Sequence, residues 1–88
     1  MATGTLEGKS DILLQREMDA VFDDLRIKAH SSFERKRGRV TISVDYPQSE
    51  QATFAFLRRH PDFVFRLVNP CQKFDDRIIH YLIFMQRR

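Results

Sequence analysis

Leu25-Arg26-Ile27-Lys28-Ala29-His30-Ser31-Ser32-Phe33, residues 25–33, decides the fold of this chain. Leu25, Ile27, Ala29 and Phe33 alternate with Arg26, Lys28, His30 and Ser32. Side chains of a strand point to opposite faces at period 2, so a strand with one wet face reads this way. The stretch is also compatible with the continuation of a preceding helix. The residues after Phe33 favour the strand. Arg35-Lys36-Arg37-Gly38 is a polar loop ending in glycine, and Val40, Ile42, Val44 and Tyr46 then alternate with Arg39, Thr41, Ser43 and Asp45. Two alternating runs around a short polar loop make a β-hairpin, so residues 25–33 are expected to pair with 39–46.

Upstream, Ser10 or Asp11 can cap a helix running to about Asp24. Leu14, Met18, Val21, Phe22 and Leu25 give it one apolar stripe at helical spacing. Downstream, Pro47 ends the second strand, Ser49 can cap a helix from Glu50 to His60, and Pro61 marks its end. Phe63–Val68 reads as a third strand, and Asn69-Pro70 opens a turn expected to run through Lys73 to Asp76. Arg77-Ile78-Ile79-His80-Tyr81-Leu82-Ile83-Phe84-Met85 is a fourth strand, apolar on both faces. The order is α-β-β-α-β-β. Short connections favour antiparallel pairing, and the economical packing is an α+β fold with both helices on one face of a four-stranded antiparallel sheet.

Eighty-eight residues make one domain, expected over 10–88, with a flexible segment over 1–9. A chain of this size buries only about 60–65% of its unfolded surface, so the eight phenylalanines carry much of the core. Cys71 is the only cysteine, which excludes an intrachain disulfide and favours a reducing compartment. The start lacks the basic and apolar regions of a signal peptide, and the longest apolar run, Tyr81–Met85, is far too short to span a membrane. A cytoplasmic protein is expected. Charge is unevenly placed: two cations against six carboxylates up to Leu25, net −4, and thirteen against six thereafter, net +7.

Few residues suggest chemistry. His30, His60, His80 and Cys71 lack the close paired spacing of a zinc site, so no metal or other cofactor is expected. Ser31 and Ser32 adjoin His30, but neighbours on a strand point apart; His80 with Asp75 or Asp76 is a conceivable acid–base pair without further support. Two surfaces stand out instead. If Phe63, Phe65 and Leu67 face the helices, then Val64 and Val68 join Ile78, Leu82 and Phe84 in an apolar patch on the other side of the sheet. Such patches mark partner sites. The charge-free window is also an aggregation hazard, with Arg77 and Arg87 flanking it as gatekeepers. The second surface is cationic: Arg35, Lys36, Arg37 and Arg39 at the hairpin loop, with Arg26 and Lys28 on the hairpin's polar face.

These features point to a small non-enzymatic module that occupies the surface of another protein, or of a second copy in a homodimer. By analogy of size alone, accessory regulators and inhibitors carried by phages and mobile elements are of this kind. The alternative is an RNA- or DNA-binding protein gripping phosphate through the six cations or, further off, a small ribonuclease using a histidine beside them.

Overall fold

The computed structural model describes residues 10–45, 47–74 and 77–88, and the side chains of these apart from 71–74 and 77–79. The expected flexible segment 1–9, Asp75, Asp76, Tyr46 and the side chains of Cys71, Ile78 and Ile79 therefore lie outside the described residues. The elements are α1 (Asp11–Asp24), β1 (Ala29–Glu34), a short 3-10 turn (Arg35–Arg37), β2 (Arg39–Asp45), α2 (Ser49–Arg59), β3 (Phe63–Phe74) and β4 (Arg77–Arg87). They form the α+β fold read from the pattern: a four-stranded antiparallel sheet, in the order β1-β2-β4-β3, with the helices against it.

Ser10 caps α1, its hydroxyl accepting from the Leu13 N–H at 3.1 Å. Leu14, Met18 and Phe22, four residues apart, are the buried stripe. The helix stops by a hydrogen-bonded reversal. Arg26 N–H donates to Asp23 O at 3.0 Å and Ile27 N–H to Phe22 O at 2.8 Å, the pair of bonds that closes a Schellman motif. Arg26 takes the left-handed position, φ 60°, where glycine is usual, and Ile27 returns buried to the core. The first strand accordingly begins at Ala29 instead of Leu25. Leu25, expected on the stripe, is exposed on the reversal, and Arg26 lies in the turn, not on the strand.

Gln48 fixes this linker from the far end of β2. Its Oε1 accepts from the Lys28 N–H at 2.9 Å and its Nε2 donates to Arg26 O at 3.0 Å. With its side chain committed there, Gln48 at the N-cap position of α2 makes no capping bond to that helix, and Ser49 is already helical. The β1–β2 connection turns at Gly38, φ 64°, whose carbonyl accepts from Arg87 N–H at 2.8 Å. A Cβ at Gly38 would sit 3.3 Å from that of Arg87, so a bare backbone serves both the turn and the approach of β4.

Phe33, Val40, Ile42, Val44, Ile83 and Met85 from the sheet pack with Met18, Phe22, Ala52 and Phe56 of the helices. His60 lies within this core, its ring stacked 4.9 Å from that of Phe56 and edge-on to Phe33 and Phe63.

β3 departs from the expected pattern in two ways. It does not turn at Asn69-Pro70 but continues to Phe74, with Pro70 paired to Tyr81. Proline is tolerated because β3 is an edge strand. The register also slips: Phe65 opposes Met85 and Leu67 opposes Phe84, leaving Arg66 as an extra residue in a bulge. A one-residue insertion inverts the facing of everything beyond it. Val68 therefore pairs with Ile83 on the helix side, and Leu67 takes the outer face beside Phe84.

Candidate functional site

Cross-strand partners share a face, so the ladder defines the outer surface. Val64 and Gln86 lie in line with Arg39 and Glu34; Leu67 and Phe84 with Thr41 and Ser32; Asn69 and Leu82 with Ser43 and His30. The apolar patch expected from Val64, Val68, Ile78, Leu82 and Phe84 is thus brought together in part. Val64, Leu82 and Phe84 are on one face, half-buried; Val68 is turned to the other by the bulge; Ile78 pairs with Lys73 through backbone, its side chain lying outside the described residues. Leu67, assigned to the core by simple alternation, joins the outer set.

The more exposed apolar surface runs along β3 itself. Phe65, Leu67 and Val68 are 47%, 46% and 41% exposed, on both faces of one strand. Between β3 and α2 lies a groove of about 660 Å³ walled by Pro47, Phe65, Val68, Pro70, Tyr81 and Ile83 on one side and Ser49, Glu50 and Thr53 on the other. Thr53 spends its hydroxyl on Ser49 O at 2.9 Å, and Glu50 provides the charge on this wall. Phe54, one helical turn beyond Glu50, is also exposed.

The two edges of the sheet differ. Along β1, α1 supplies carboxylates to the outward backbone. Asp19 Oδ1 accepts from the Ser31 N–H at 2.8 Å and from its hydroxyl at 2.9 Å. Asp11 Oδ1 accepts from the Arg35 N–H at 3.2 Å and from its Nε at 3.1 Å. These bonds explain the burial of Ser31 and close that edge. No described element pairs with the outer side of β3.

The six candidate cations do not form one surface. Arg26 and Lys28 precede β1 and Arg35–Arg37 follow it, so they sit at opposite ends of a six-residue strand, on the order of 20 Å apart. At the hairpin loop Arg35 is held by Asp11 and Arg39 lies 3.8 Å from Glu34. Lys36 and Arg37 remain exposed with no ion pair among the described residues.

One cluster escaped the sequence because its members are distant in it. Ser43 Oγ is hydrogen-bonded to His80 Nε2, and His80 Nδ1 lies 3.4 Å from Asp45 Oδ1. β2 and β4 place the three on the outer face, beside a hollow of about 560 Å³ also lined by Arg26, Lys28 and His30. The order hydroxyl–imidazole–carboxylate resembles a nucleophile, base and orienter. Acyl transfer also needs donors aimed at the developing oxyanion. Ser43 sits on an inner strand whose backbone is engaged by β1 and β4, so the sheet offers none beside it. The arrangement is better explained as a polar staple between strands. Among the described residues no three metal-ligating side chains converge, and no helix is long and apolar enough to cross a membrane.

No family model, curated protein or solved structure matches this chain.

Proposed function

We propose that this is a cytoplasmic, non-enzymatic binding module that acts by occupying the surface of another protein, with edge strand β3 and its flanking groove as the contact. One observation carries the reading: a strand with an open backbone edge that exposes Phe65, Leu67 and Val68 together. Half-exposed side chains of this size forgo about 1 kcal/mol each that a covering surface would recover. Addition of a strand to such an edge lets main-chain bonds give affinity while neighbouring pockets give specificity. An accessory regulator or inhibitor works in this way without chemistry of its own.

Capture from host lysate tests the reading, using the unmodified protein and Leu67→Lys with and without nuclease. A partner that survives nuclease and is lost with Leu67→Lys supports it. A partner indifferent to Leu67→Lys, or removed by nuclease, refutes it. Nucleic-acid binding is the weaker reading, since Asp11 and Glu34 engage two of the four hairpin cations and leave Lys36 and Arg37 to carry it.

A further inference from the structure

The geometry points to a second copy of this chain as the occupant of the β3 edge, paired antiparallel about a twofold axis at Val68. The inference rests on the binding role proposed for β3 and names its partner. Three observations lead to it. First, α1 closes the β1 edge through Asp19 and Asp11, so edge pairing is directed to β3. β3 against β3 is isologous and stops at two copies, whereas β1 against β3 would propagate into a fibre.

Second, the irregularities of β3 match one another in this register. Residues pair when their numbers are symmetric about 68, so Arg66 opposes Pro70. The position bulged out of the ladder then faces the position that has no N–H to donate. Leu67 opposes Asn69, both on the outer face, and Val68 meets its own copy on the helix side. No side chain is forced onto the wrong face.

Third, the charges are complementary. Glu50 lines the groove together with Pro70. Arg66 is an exposed strand cation without an ion pair among the described residues. Placing Arg66 of one copy opposite Pro70 of the other brings it to the wall that carries Glu50, and the twofold makes the contact twice. The product is a continuous eight-stranded sheet in which the two grooves join and the Phe65 and Val68 side chains of both copies shelter one another.

Light scattering and sedimentation from micromolar to millimolar concentration give the test. The unmodified protein is expected to pass from monomer to dimer. Glu50→Arg and Arg66→Glu should each weaken the dimer by about tenfold, and the double variant should recover to within about threefold of the original. Both sites are exposed, and far-UV circular dichroism checks that each variant folds. A protein monomeric throughout overturns the inference, and so does a dimer that ignores both charge reversals or is not rescued by the pair. A monomer that still captures a Leu67-dependent partner from lysate would overturn the second copy alone and leave the proposed function standing.

Discussion

Replacing Arg26 with glycine should stabilise the protein. Arg26 occupies the left-handed region, φ 60°, to close α1, and a side chain there clashes with its own backbone at a cost of about 1–2 kcal/mol. Glycine removes the clash but gives the unfolded chain more freedom, a loss of about 0.4–1 kcal/mol. The net expectation is a gain of about 0.5–1 kcal/mol. The bonds that hold the turn are spared, because Gln48, Asp23 and Lys28 meet it through backbone groups: Arg26 O, Arg26 N–H and the Lys28 N–H. For a domain of this size the gain corresponds to a rise in Tm of about 3–6 °C, readable by calorimetry or circular dichroism. Arg26→Ala is the control: it removes the guanidinium and keeps the strained backbone, so it should leave Tm nearly unchanged. A glycine variant no more stable than the alanine variant would refute the left-handed closure of α1.

Three further outcomes are expected. Phe56→Ala, which empties a fully buried site stacked against His60 and packed with Phe33 and Phe63, should cost about 3–5 kcal/mol in urea denaturation. Asp19→Ala should cost about 1–3 kcal/mol by orphaning the Ser31 N–H and hydroxyl, and by opening the β1 edge it should add a concentration-dependent aggregate visible in light scattering. Lys36→Glu with Arg37→Glu should remove most retention on heparin at low salt, because Arg35 and Arg39 have acidic partners; unchanged retention would place the polyanion surface elsewhere.

Local signals in the sequence were legible where each element's residues answer to one another. Ser10 and the Leu14–Met18–Phe22 stripe define α1 within the chain segment that forms it. Val40, Ile42 and Val44 alternate because β2 has one wet face. Features that depend on distant partners were not legible. The start of β1 moved to Ala29 because the helix closes on an arginine where a glycine would have marked the stop. Pro70 reads as a turn until the strand is known to lie at an edge. The bulge at Arg66 has no residue signature, yet it alone exchanges the faces of Leu67 and Val68 and so dismantles part of the expected patch. Ser31 looks like a polar surface residue until Asp19, twelve positions earlier, is found beside it. The Ser43–His80–Asp45 contacts and the acids that engage Arg35 and Arg39 required the sheet order and the docking of α1.

The strand order has a consequence in time. β4, the last strand along the chain, lies between β2 and β3. During synthesis the β1–β2 hairpin therefore emerges with one side of β2 unpaired and must wait for some thirty residues of intervening chain before its neighbour arrives. In that interval Val40, Ile42 and Val44 lie along an open ladder, and β3 has nothing to pair with. The nascent chain is thus most prone to misassociation just before its final strand appears, and a ribosome stalled ahead of β4 should hold a species that chaperones recognise.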